Sequence, residues 1–294
     1  MSRAHPIVAV TGASGAGTTS VQQTFKSICT QAKIGAVFVE GDSFHRYERG
    51  EMRKLIDAWE RTAGRTISHF GPEANLLEEL EALFGDYGRE GLGLARRYLH
   101  DEDAARAYGQ NAGTFTEWSD IGAGSDVLIY EGLHGGAITD IVNIAEHVDL
   151  LIGVTPTINL EWIQKLHRDQ KDRGHSVEDV TQTILRRMPD YIEHIVPQYS
   201  RTHINFQRVP TVDTSNPFSN TGVPSPDESL IVIRFNDPSQ HEIDDIIKLI
   251  RGSFQSKEDS VVVPGQTFEQ MLELVLKPRI NKLVVNGRLE RAKK

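Results

Sequence analysis

The sequence predicts an α/β fold in three layers, a mostly parallel (mixed) sheet with helices on both faces. Three observations predict it. Short apolar runs recur along the chain with almost no polar interruption, as in strands buried on both faces. Segments with the apolar spacing of helices separate them. A glycine-rich turn links the first run to the first helical segment, as in a βα unit.

The first run is IVAV at 7–10, and the helical segment at 17–31 places Val21, Phe25, Ile28 and Cys29 on one side. AVFVE at 36–40 is a second strand, ending at Gly41 and Asp42. The stretch 75–91 predicts a helix with Leu76, Leu80 and Leu83 as its stripe, stopped by glycine. DVLIYEG (126–132) and HVDLLIGVTP (147–156) are strands, and 158–173 and 176–196 are helices. SLIVIRF (229–235) and SVVVPG (260–265) are late strands, each followed by a helical segment, 242–254 and 268–280. The stretches 100–125 and 213–228 read as long loops, and such loops inside a compact domain usually carry function. The chain reads as one domain over 1–294, with a charged tail at 286–294 expected to be disordered.

Between the first strand and helix stands Gly12-Ala13-Ser14-Gly15-Ala16-Gly17-Thr18-Thr19, with Ser20 next. Gly12 and Gly17 have the spacing of a phosphate-binding P-loop, whose inward N–H groups and helix N-terminus cradle phosphates. Thr19 sits where a Mg²⁺-binding hydroxyl belongs. Thr18 occupies the lysine position, so another cation must serve the phosphates, and Lys165 is the candidate. A tight turn with no ligand is the plain alternative.

Ligands of open α/β sheets gather at the carboxyl ends of the strands. Asp42 stands there after the second strand, where a carboxylate can take a proton from an attacking hydroxyl; it could also simply cap the next segment. Glu131 closes the strand 126–132 in the place of an acid that handles Mg²⁺, with His134 near it. His45, Arg49 and Arg53 are spaced by four and would share one helical face, with Arg46 beside them, suiting a phosphate monoester or merely facing solvent. Trp162, Lys165, Asp169 and Arg173, with Arg168, form a dense stripe that reads as a lid over phosphates or as i,i+4 ion pairs.

Composition limits the function. A net charge of −9 argues against a non-specific nucleic-acid binder. No run approaches the length of a membrane span, and the N-terminus enters a strand without a leader, which points to a cytoplasmic chain with no membrane partner. The single cysteine, Cys29, excludes an internal disulfide and a cysteine-only zinc site.

Taken together, GASGAGTTS, EGDSFHR, YLHDE, IYEGLHG, NLEWIQKLHRDQKDRG, ILRRMPDY and INFQRVPTVDTSNPF resemble the bacterial phosphoribulokinases, from His5 to about Lys282. Threonine in place of the P-loop lysine is similar to that family too. The resemblance implies a P-loop kinase-like fold and transfer of the γ-phosphoryl of ATP, with Mg²⁺, to the 1-hydroxyl of ribulose 5-phosphate, a Calvin-cycle step. It implies Asp42 as catalytic base, Asp169 as a second acid or metal ligand and Glu131 as the metal-handling acid. His45, Arg49, Tyr98, His100, Arg168 and Arg173 would be substrate-binding, with Lys165 acting on the transferred group. It further implies a homo-octamer activated by NADH and inhibited by AMP, with Arg186, Arg187 and Arg234 as allosteric residues. Gln31 and Lys257 stand where that resemblance leads one to expect arginine. The thiol switch of the plant type is excluded, because the loop has no cysteine. A uridine- or pantothenate-kinase-like enzyme and a non-catalytic nucleotide sensor are the other readings of the same residues.

Overall fold

The computed structural model describes residues 4–12, 18–62, 67–173, 176–218 and 222–293. Strand β1 (Ile7–Thr11) is buried throughout. Its side chains alternate between two cores, Val8 and Val10 into one and Ile7 and Ala9 into the other, so the strand has no solvent face. That is why its sequence is continuously apolar. Helix α1 (Thr18–Ala32) lays Val21, Phe25, Ile28 and Cys29 on the first core.

Strand β2 (Ala36–Glu40) runs into a 3₁₀ turn, Gly41–Phe44, followed by α2 (Arg49–Thr62). Helix α3 (Leu77–Glu90) covers the second core with Leu77, Leu80, Leu83, Phe84 and Tyr87. It stops at Gly91, whose φ of 73° lies in the left-handed region that favours glycine. Next come β3 (Gly93–Ala95), α4 (Glu102–Arg106), β4 (Ser119–Ile121), β5 (Val127–Gly132) and β6 (Leu150–Pro156). Helix α5 (Ile158–Arg173) is followed by α6 (Val177–Asp190), a π-helical turn Tyr191–Ile195 and α7 (Val196–Tyr199). The chain closes with β7 (Ile204–Pro210), β8 (Ser229–Phe235), α8 (Gln240–Leu249), β9 (Phe254–Lys257), β10 (Ser260–Pro264) and α9 (Phe268–Arg291).

The main sheet has the order β2-β5-β1-β6-β7-β8-β10-β9. The first five strands are parallel, and β8, β10 and β9 join antiparallel. Helices α1, α8 and α9 cover one face, with α3 on the other. Helices α5 and α6 pack on each other through Leu166, Val180 and Ile184. Among the described residues no helix is long and apolar enough to cross a membrane.

Several expectations need correction. The stretch 100–125 contains α4 and β4, and β4 pairs with β3 in a small second sheet. The helix expected over 176–196 widens into a π turn after Pro189, whose ring cannot sit in a regular turn and which has no N–H to give. The helix expected over 242–254 ends at Leu249, and Phe254 opens β9. Strand β7 was not legible, because Gln207 and Arg208 interrupt its apolar pattern.

The tail does not fray where fraying is expected. Helix α9 continues to Arg291 because its last turns find a half-buried partner. The Asp126 carboxylate, 14% exposed, accepts from Arg288 Nε at 2.9 Å, Arg291 Nη2 at 2.7 Å and the Gly35 N–H at 3.0 Å. Arg291 also donates to the Ala4 carbonyl at 2.6 Å. These bonds, Arg288 foremost, hold the Asp126 carboxyl down to about 2. A depressed carboxyl stabilises the fold above its ordinary range and loses that contribution as pH falls. Asp126→Asn should cost on the order of 1 kcal/mol in denaturant unfolding at neutral pH, after allowance for water around Arg288. The gap between the two proteins should close as pH falls from 3.8 towards about 2.

Candidate active site

The carboxyl ends of β1, β2 and β5 lie level. Glu131 pairs in register with Val10 on one side and Glu40 on the other. Just beyond, the backbones of Gly41 and Gly132 close on each other over the buried Tyr130 ring. A Cβ added to Gly41 would lie 2.8 Å from Gly132 Cα and 2.6 Å from Tyr130 Oη, so only glycine fits. This close approach fixes the next residue, Asp42, at the edge beside Glu131. On the other side, a Cβ on Gly12 would meet the Val154 carbonyl at 2.5 Å, so the P-loop leaves β1 pressed against β6. Ala13 to Gly17 lie outside the described residues, as do the side chains of Thr18, Thr19 and Ser20, which open α1.

The row His45, Arg49 and Arg53 does not share a helical face. His45 has extended backbone, ψ 139°, and α2 begins only at Arg49. The cause is a bridge between His45 and Asn75 with Arg46 N–H bonded to the Ala74 carbonyl, which pulls the chain out of helical geometry. Arg53 is exposed, whereas His45 is buried. The His45 ring stacks on His69, centroids 3.8 Å apart, and its Nε2 lies 3.5 Å from Asp42 Oδ1. Burial lowers the pKa of both rings. His134, whose Nε2 lies 3.0 Å from the His69 carbonyl, is pushed down to about 4 by burial. These three histidines are therefore neutral at pH 7, and His45 offers Asp42 or a ligand a hydrogen bond, not a charge.

His100 behaves in the opposite way. It lies 3.8 Å from both Glu40 Oε2 and Asp42 Oδ2, and these carboxylates, Glu40 foremost, raise its pKa. Arg49 donates to the His100 carbonyl at 2.6 Å and sits over the Tyr98 ring, which in turn meets His45 and His100 edge-on. Arg49, Tyr98, His100 and His45 thus form one cluster around Asp42.

Helix α5 supplies the facing wall. Asp169 is buried and accepts from Lys165 Nζ at 2.5 Å and Arg168 Nε at 3.1 Å. Burial lowers the Lys165 pKa, and Asp169 opposes that. Asp169 is thus the anchor that holds two cations on one wall. The side chain of Arg173 lies outside the described residues.

Between these walls is a cavity of about 170 Å³, an order of magnitude more than one water needs. Asp42, His45 and His69 line one side, with Lys165, Arg168, Trp162 and Glu161 facing them; Arg187 and Tyr191 close it from α6 and the π turn. The three arginines expected to act together are divided. Arg187 is on this cavity, Arg186 is exposed and bonds Thr183, and Arg234 on β8 donates to Tyr199 O and Thr202 Oγ1. Sequence reasoning missed His69, Glu161 and Tyr191. Glu161 could have been found as the position one turn before Lys165; His69 carries no local signal. It also missed Gln198, fully buried, whose amide donates to Leu133 O and His194 O and accepts from Gly136 N–H, tying the loop after β5 to α7.

Glu131 is a hard oxygen donor of the kind Mg²⁺ takes in ones or twos, the rest of its shell coming from water and phosphates. Among the described residues no three His, Cys, Asp or Glu side chains gather as a cage, and a single carboxylate such as Glu131 fits an ion that arrives with a nucleotide.

A P-loop at the carboxyl edge, a carboxylate beside it and a cationic cavity define a nucleotide-dependent kinase for a small anionic acceptor. The chain belongs to the phosphoribulokinase / uridine kinase family, whose model matches residues 7–215. It is 52% identical to the plasmid-encoded phosphoribulokinase of Cupriavidus necator over 97% of both chains. It is 54% identical to the phosphoribulokinase of Xanthobacter flavus, over 97% of this chain and 98% of that one. The phosphoribulokinase of Rhodobacter spheroides superposes with a TM-score of 0.89 at 46% identity, covering 97% of this chain and 99% of that one.

Gly41→Ala should lower turnover about a hundredfold by displacing Asp42. Gly50→Ala on α2, where an added Cβ meets nothing within 4 Å, should leave turnover unchanged in the same assay.

Proposed function

We propose that the protein is a phosphoribulokinase, transferring the γ-phosphoryl of ATP to the 1-hydroxyl of D-ribulose 5-phosphate to give ribulose 1,5-bisphosphate and ADP. The observation that carries this reading is the cavity itself: the Asp42 carboxylate faces Lys165, Arg168 and Arg187 across a space sized for a small molecule. A neutral nucleoside would have no use for three cations, and a sensor without turnover would have no use for the base.

In this reading O1 of the sugar attacks the γ-phosphorus, its proton passes to Asp42, and the bond to the ADP oxygen breaks. His45 and His100, on either side of Asp42, orient the carboxylate. The residues 12–20 hold the ATP phosphates. Glu131 and Thr19 would hold Mg²⁺, which would supply charge neutralisation at those phosphates. Lys165 stands in for the missing loop lysine, and Asp169 serves chiefly to position Lys165 and Arg168. Arg49, Tyr98 and His100 take the sugar phosphate at the cavity rim, with Arg173 as a further candidate. The homo-octamer, the NADH and AMP regulation and a cytoplasmic setting go with this reading. Arg186 and Arg234 are the candidates for an effector site, and Arg187 belongs to the cavity.

ADP release should depend on ribulose 5-phosphate and not on uridine; release with uridine alone overturns the acceptor assignment. Asp42→Asn should lose about 10²–10⁴-fold in turnover with ATP binding unchanged. A fully active Asp42→Asn enzyme would remove Asp42 as the base.

A further inference from the structure

Glu161 is a buried carboxyl on the cavity wall, 9% exposed, and no role in phosphoryl transfer accounts for it. Among the described residues its one hydrogen-bond partner is Tyr191, whose hydroxyl donates to Oε2 at 3.1 Å. A carboxylate has about four acceptor positions, so most of its capacity is unused. The donor is held firmly. Tyr191 opens the π turn that follows Pro189, and its ring meets Phe70 edge-on with centroids 5.5 Å apart. A π turn re-aims one side chain of a helix, and such turns recur at functional sites. Here it aims Tyr191 at Glu161.

The surroundings decide what Glu161 could meet. Lys165 lies one turn further along α5, and Arg168 and Arg187 occupy other parts of the wall. Phosphates, the sugar's own at the Arg49 rim and the transferred group at Lys165, are drawn to cations and repelled by a carboxylate. The part of the acceptor left beside Glu161 is therefore its hydroxyl-bearing carbons.

We propose that Glu161, braced by Tyr191, accepts a hydrogen bond from a secondary hydroxyl of the sugar phosphate and so selects a polyhydroxylated acceptor. This rests on the acceptor reading above. A site built to bond a hydroxyl rejects the analogue that lacks it, because the buried group is then left unpaired. Burial raises the Glu161 carboxyl to about 7, against the pull of the Tyr191 hydroxyl and the Lys165 charge. Tyr199, partly buried and packed against Tyr191, and His69, held neutral on the opposite wall, add no cation there. The ionised form is the stronger acceptor, so sugar phosphate binding weakens as pH falls through about 7.

The test compares wild type, Glu161→Gln and Glu161→Leu on ribulose 5-phosphate and its 3-deoxy and 4-deoxy analogues, across pH. Wild type should prefer the parent over one analogue by about tenfold or more in kcat/KM. Glu161→Leu should raise the KM for the sugar phosphate about 10- to 100-fold, with kcat and the KM for ATP little changed, and should lose that preference. Glu161→Gln keeps the volume and the partner of Tyr191, and should lose the rise in KM as pH falls through about 7. Melting curves identify a variant that fails to fold; in that event the pH profile of Glu161→Gln decides alone. An active wild type whose variants keep its KM, preference and pH profile overturns the role of Glu161 only. A wild type inactive on ribulose 5-phosphate overturns the acceptor reading, and the role of Glu161 with it.

Discussion

Five parallel strands run side by side through this chain, and their direction governs everything at the site. Parallel strands deliver all their carboxyl ends to one edge, and the register sets Val10, Glu40 and Glu131 level there. The loops that leave that edge cannot be moved far without unpairing a buried strand, which would leave N–H and C=O groups unbonded inside the core. The glycines at 12, 41 and 132 tighten the arrangement, since each lies where a side chain would strike neighbouring backbone. The chemistry of the edge is thus positioned by hydrogen bonds that lie within the core.

Charge in the cavity is sorted by burial. The histidines at 45, 69 and 134 are packed on one another and lose their charge to desolvation. The cations are either half-exposed, as Arg187 is, or paired, as Lys165 and Arg168 are with Asp169. Two kinds of recognition result: a neutral, directional patch of His45 and His69 beside Asp42 and an electrostatic wall on α5 and α6. A ligand with an anionic end and a hydroxyl end matches that division.

Much of this was legible in the sequence, and what was not has physical reasons. Strands β1, β2, β5 and β6 read correctly because each is a short apolar run with turn residues beyond it. Asp42, Glu131 and Lys165 could be singled out because their places follow from strand ends and helical spacing. His45 was set on the wrong face because its backbone is determined by pairing with Asn75, thirty positions away, and spacing cannot see that. His69 enters through a ring stack, Gln198 through an amide hub and Tyr191 through a π turn, and each is a tertiary event without a local pattern. The C-terminal segment looked unable to bury anything, yet its arginines needed only one carboxylate, Asp126, to hold it.

Where Arg291 reaches the carbonyl of Ala4, the two ends of the described chain meet at the amino edge of the sheet, the side away from Asp42. A linker of a few residues would close the backbone into a ring there, and new ends could be opened at an exposed turn such as Gly109. Anchored to a bead or a surface by that same edge, the molecule would present its cavity outward, and the tether would lie a full strand length from the reacting groups.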